Sequence, residues 1–273
     1  MFSPHRPRNL LEAATNTLGL IYDDAVNEVR KSYGNPIIGL LMTLVQSLVM
    51  VMGFMLIYWI MGVKTSPIRG PYAIYLLSGV LLFMTHSKTH AAVAGAPKAS
   101  SSQMLHAPMT TAVGIGGAAL AVLYKQTLVF TALIYGYHVL VGPVAIENAV
   151  GVLACFMLAW LSGIAIGLCF YAATPWAPTP IGVVSQAYQR ANMVFSGKFF
   201  VANLMAPGML QYFDWNPLFH IVDQGRGFIF INYTPYFSSM TYPLKVTLAL
   251  LLIGLMGEFV TRQSISASWG AGK

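Results

Sequence analysis

Apolar and polar positions along the chain fall into long hydrophobic runs divided by short polar breaks, preceded by one segment of a different period. In that first segment Leu10, Ala14, Leu18, Ile21, Tyr22, Ala25 and Val29 recur at the three-and-four spacing of a helix with one apolar face. Asn9 followed by Glu12 supplies an N-cap with a capping-box partner. Asp23, Asp24, Glu28 and Arg30 occupy the polar face, and YGNP at 33–36 ends the pattern. The pattern predicts an amphipathic helix lying on a membrane surface.

From Ile37 to Met61 the amphipathic period disappears. No charged residue stands between Lys31 and Lys64, and such a run is long enough for roughly 30 Å of hydrocarbon at about 1.5 Å per residue. A second span starts near Tyr72 and fades into the Ser-, Ala- and Pro-rich THSKTHAAVAGAPKASSSQMLHAP. A third falls between Thr111 and Val141, and a fourth covers about Val150 to Tyr171 before ATPWAPTP stops it. A fifth is expected within Val183–Met205 and a sixth within Leu244–Val260. The expected fold is an all-α membrane protein of six transmembrane helices, with an arm and interface helix at 1–35 and a single membrane domain at 36–273.

Composition agrees. The 273 residues are 56% hydrophobic and only 8% charged, whereas a soluble domain carries roughly 25% charged residues. The net charge of +7 lies between apolar runs, where it sets orientation and does not serve nucleic acid. With the N-terminus inside, nine basic residues (Arg6, Arg8, Arg30, Lys31, Lys88, Lys98, Arg190, Arg262, Lys273) are cytoplasmic, against Lys64, Arg69, Arg226 and Lys245 outside. Both termini are therefore expected in the cytoplasm. MFSPHRPRNLLEAATN lacks an apolar core before a cleavage site, so no cleavable signal is expected. Cys155 and Cys169, alone in one apolar run, read as small buried hydrophobes.

Candidate chemistry is sparse. No G-x-x-x-x-G-K-[ST] is present, so ATP-driven work requires another chain. His86 and His90 stand one helical turn apart, but no acid or third ligand accompanies them, and no metal site is assigned. Asp214, Asp223, Glu147 and Glu258 are scattered at span ends, unlike the clustered acids of a metal-dependent transferase. Lys198 is the sharpest singleton. In VFSGKFFVAN it falls well inside the expected fifth span, where a charge costs at least about 2.5 kcal/mol without water or a partner. It either serves a site or snorkels to the interface. If the third span begins near Leu120, Lys125 lies only about one turn inside it. Aromatics crowd the same region, as an interface belt or as a lining on which sugar rings stack. Gly163 and Gly167 in GIAIG form a close helix contact. Between the last two spans, FDWNPLFHIVDQGRG sets Asn216 and Pro217 to end one short helix and begin the next, with Asp223 and Arg226 spaced to pair on one face.

Several of these stretches resemble one family, the permease subunits of ABC exporters for capsular and related cell-surface polysaccharides, within the type-2 ABC exporter permeases. EVRKSYGNPIIGLLMTLVQ resembles its interface helix, basic pair and first span, and Pro108 stands where the family has a Pro before its third. FSGKFF resembles its Ser-Gly-x-Phe-Phe, and WNPLFHIVDQGR its Trp-Asn-Pro-Leu-x-His followed by an acid and Arg. The resemblance implies a non-enzymatic membrane subunit of an ATP-driven exporter moving a lipid-linked polysaccharide across the bacterial inner membrane. It implies short re-entrant helices at about 206–240, a homodimer, and a separate ATP-binding subunit holding the ATP and Mg. It leaves room for periplasmic and outer-membrane export components. Lys98, Met104, His106 and Pro108, within a coupling segment at about 96–108, together with Glu28 and Arg30, would meet the ATPase. Lys198, Arg190, Tyr188, Phe195, Phe199 and Lys125 would line the pathway. Trp215, Asn216, Pro217, His220, Asp223 and Arg226 would form the outer gate. Lys198 stands where the family has an apolar residue, and its charge suits an anionic polymer or phosphate-linked end. Another lipid-linked polymer (O-antigen, teichoic acid), a small lipophile, or an integral membrane glycolipid transferase are the alternatives.

Overall fold

A computed structural model of the chain describes residues 9–31, 36–60, 62, 66–97 and 110–270. Among these the regular structure is helical, without strands. The elements are α1 (Leu10–Lys31), α2 (Pro36–Ile60), α3 (Tyr72–Ala94), α4 (Thr111–Leu140), α5 (Ala149–Ala173), α6 (Pro178–Phe195), α7 (Pro207–Leu210), α8 (Pro217–Ile229) and α9 (Thr241–Gly270), with a 3-10 turn at Ala202–Leu204. Four of them, α2, α4, α5 and α9, are long and apolar enough to cross a membrane. α3 and α6 carry more polar residues and do not meet that measure, α3 through His86, Lys88 and His90 and α6 through its Gln and Arg side chains.

The centre of the molecule is α3 against α5. The two run in the same direction and touch at the backbone, because a Cβ on Gly163 would lie 2.6 Å from the His86 carbonyl and one on Gly167 would lie 2.9 Å from that of His90. The GIAIG contact is thus a helix crossing at which only glycine fits. α9 lies along the other side of α5, where Cys169 Sγ meets the Leu250 carbonyl at 3.3 Å and Thr261 donates to that of Ala172 at 2.9 Å. α4 runs opposite to α5, tied by Trp160 Nε1 donating to the Ala119 carbonyl and by Phe130 on Phe156. Caps mark the starts of both: Thr110 accepts from Val113 N in α4, and Asn148 accepts from Gly151 N in α5.

Helices α2 and α9 stand at the rim, with 17% of their apolar windows buried. α1 packs along α4, its Ile21 and Asp24 filling the space left by Gly116 and Gly117. Its Leu10, Leu11 and Leu18 stay exposed. Short α8 is the reverse case, a thirteen-residue helix of which ten residues are buried, wedged against α3, α5 and α9.

The fifth expected run differs from expectation. α6 ends at Phe195, and Gly197 takes φ +70°, a left-handed turn natural to glycine, with the Phe219 ring pressed against its Cα. Lys198 therefore sits in a non-helical bend.

Candidate functional site

The bend at 196–201 meets α3, α6 and α8 in a junction of buried polar groups. Its anchor is Arg226, wholly buried on α8. The guanidinium donates to the main-chain carbonyls of Gly197 at 2.9 Å, Phe200 and Lys198, and its plane lies 4.2 Å over the Tyr75 ring. Three carbonyls freed by the broken helix are thereby satisfied by one planar fork. Gly79 of α3 is what admits them: a Cβ there would lie 2.8 Å from Arg226 Nη2 and 3.0 Å from Lys198 Cα.

The expected local pair of Asp223 with Arg226 does not form. Asp223 accepts instead from the Tyr233 hydroxyl, from Ser238 Oγ at 2.7 Å and from Ala202 N at 3.4 Å. One turn of α8 carries the two side chains into different surroundings: Arg226 toward the 196–201 bend, Asp223 toward the segment leading into α9. Each charge is offset by dipoles, which the i, i+3 spacing alone does not reveal.

Lys198 is buried as well. Its Nζ has no hydrogen-bond partner among the described residues and lies 3.3 Å from the Phe83 centroid, 4.9 Å from Phe199 and 5.3 Å from Phe54. The ammonium is boxed by rings from α2, α3 and its own neighbour, where cation–π attraction offsets part of its desolvation.

A second buried network lies on the α6 side. His86 Nδ1 meets Ser162 Oγ at 2.8 Å, and its Nε2 meets the Tyr188 hydroxyl at 2.9 Å and Asn192 Nδ2 at 3.3 Å. His90 reaches Ser185 Oγ at 3.4 Å and stacks edge-on to Tyr188 and Phe170. Asn192 continues to Asn216, which caps α8 through Leu218 N, with Pro217 at the first helical position as expected. The Phe195 carbonyl accepts from Asn216, and its ring contacts Phe213 and Trp215. His220 holds the same turn closed, Nε2 on the Asp214 carbonyl at 2.7 Å and Nδ1 accepting from Ser239 N. Trp215 is exposed, its carbonyl accepting from Tyr242.

Of the expected pathway residues, Lys198 and Phe199 lie at the bend, and Tyr188 and Phe195 belong to the adjoining network on the α6 side. Arg190 points away from it and is exposed on α6. Lys125 lies apart on α4, near Lys88 and Glu28. Arg30 borders a cleft of about 420 Å³ between α1, α2 and α4, with Tyr22, Leu40 and Tyr124. Lys98, Met104, His106 and Pro108 lie outside the described residues. Ser162 and Asn192, which tie the network together, went unread in the sequence. For Ser162 the signal was present, a lone hydroxyl inside the apolar run FMLAWLSGIAIGL; Asn192 follows Gln189 and Arg190 and does not stand out from its polar neighbours. A scan against protein-family models and a search of curated proteins each find no match to this chain.

Proposed function

We propose that this chain is the membrane subunit of an ATP-driven exporter that moves a lipid-linked polysaccharide of the capsule type across the bacterial inner membrane, working as a homodimer with separate ATP-binding chains. The observation that carries the reading is α6. Its eighteen residues reach about 27 Å, close to a bilayer's hydrocarbon thickness. Yet it buries only Asn192 and exposes Gln186 and Arg190 beside Val183, Val184 and Val194. An arginine facing lipid costs at least about 2.5 kcal/mol. Such a helix needs water or a facing copy of itself, and two copies meeting across α6 give a path with polar and aromatic walls.

In this reading α2 to α6 and α9 are six spans with both termini cytoplasmic. α1 is the interface helix, and α7 and α8 are re-entrant helices. Irregular backbone at membrane depth is tolerated where it is buried in protein, which suits the satisfied carbonyls of the 196–201 bend. Segment 96–108, with Glu28 and Arg30, meets the ATP-binding chain. The WNPLFHIVDQGR resemblance and the missing nucleotide motif support a separate ATPase, with O-antigen, teichoic acid or a small lipophile as other cargo for the same path.

Co-expression with candidate ATP-binding chains tests the assembly. A stoichiometric ATPase should co-purify, and Gln186→Cys should form a disulfide between two copies. Turnover of a lipid-linked sugar by the isolated chain would instead make it a transferase.

A further inference from the structure

Ser162, His86, Asn192 and Asn216 form one chain of hydrogen bonds that runs from α5 through α3 and α6 to the start of α8. Main-chain groups of fixed polarity set its direction at both ends. At the α8 end, the Leu218 N–H requires an acceptor, so Asn216 turns Oδ1 to it at 3.0 Å. The Asn216 amide nitrogen then donates to the Phe195 carbonyl at 2.9 Å and to Asn192 Oδ1 at 2.7 Å. Asn192 is left presenting its own NH₂ to His86 Nε2 at 3.3 Å. A ring nitrogen that receives an amide donor bears a lone pair.

At the α5 end the Ser162 hydroxyl donates to the Ala159 carbonyl at 2.9 Å. Its oxygen is therefore the acceptor at 2.8 Å from His86 Nδ1, which carries the proton. The two ends share no residue except His86, and they agree. No carboxylate is among the ring's partners, so nothing draws a second proton onto it.

We infer that His86 is a positioning residue: as the neutral Nδ1–H tautomer, its Nε2 lone pair anchors α6 to α3 through Asn192 and Tyr188 and so keeps Gln186 and Arg190 turned outward. The tautomer rests on the hydrogen bonds alone, and the functional meaning rests on α6 as the path-lining helix. The anchor matters because α6 has little else to hold it, packing on α5 along a narrow seam.

The test uses the full chain in bilayer nanodiscs with ¹⁵N-labelled histidine, His86 being assigned by the signal lost in His86→Gln. Its ring should show Nδ1 protonated and Nε2 bare. Asn192→Asp keeps the shape but turns a carboxylate oxygen toward Nε2, and the proton should then appear on Nε2. The position of α6 is read by maleimide labelling of Gln186→Cys, freshly reduced with a phosphine, in a chain with Cys155→Ala and Cys169→Ala. His86→Leu should change that rate by about threefold or more, through local opening, while His86→Gln, whose Oε1 also accepts, should restore it. Should His86→Leu fail to fold, Asn192→Leu breaks the chain from the other side and decides the same question. A wild-type ring protonated at Nε2, or a labelling rate indifferent to these changes, overturns the inference. Neither readout needs transport, so if they hold while export fails, the export reading falls alone.

Discussion

Arg226 and Lys198 are two buried cations, one donating to three carbonyls through its terminal nitrogens and the other without a hydrogen bond among the described residues, and the contrast sets opposite expectations for their removal. Arg226 holds the carbonyls of Gly197, Lys198 and Phe200 with a rigid fork. Lysine offers one compact ammonium and cannot span them. Arg226→Lys should cost at least about 2 kcal/mol, the penalty for leaving buried carbonyls without donors. Lys198 has rings and no hydrogen bond. There the desolvation of a charge, at least about 2.5 kcal/mol, opposes cation–π contacts worth about 2 kcal/mol. Lys198→Met keeps the stem and lays a sulfur on the rings, so stability should change by less than about 1 kcal/mol. Thermal unfolding in nanodiscs measures both. A drop in export by Lys198→Met with the midpoint unchanged would support a place for Lys198 in the pathway, and normal export would reject it.

At the scale of elements, the α3–α5 crossing has no slack. Gly163→Ala would set a methyl 2.6 Å from the His86 carbonyl and 2.8 Å from Thr89 Cβ. Neither neighbour is the free end of a flexible side chain, so the helices must part, at about 1–3 kcal/mol. Gly182→Ala, on open α6 with nothing within 4 Å, should be harmless, and comparing the two unfolding midpoints checks the contrast. This crossing was legible in GIAIG, because small residues four apart state their purpose locally. So were α2, α4, α5 and α9, whose apolar runs are long. The end of α6 was not. Ser196 and Gly197 hint at a break, but apolar residues continue to Met205. What stops the helix is Arg226, far along the chain, taking the carbonyls that a continuing helix would need. The same distance hid the junction: Asp223 and Arg226 look like a pair in sequence, and only the elements brought between them show otherwise.

For the whole molecule, the outer helices α2 and α9 carry the lipid-compatible surface, while buried polar groups concentrate on α3 and α8 and at Asn192 of α6. The division matches a bundle whose rim is solvated by hydrocarbon and whose polar groups are kept to its interior. α3 is the extreme case. It is buried along most of its length, and among the described residues its His86 and His90 find their side-chain partners on α5 and α6.

That dependence has a consequence for how the protein is made. α3 leaves the ribosome before any of those partners exists, with two histidines and Lys88 and less apolar surface than its neighbours. On the proposed six-span reading it should therefore wait at the translocon, or insert only partly, until α5 and α6 follow. Glycosylation-site mapping on nascent chains checks this: chains ending after α4 should leave α3 poorly inserted, and chains reaching past Phe195 should insert it. Uniform insertion at every length would mean that α3 enters the bilayer unaided.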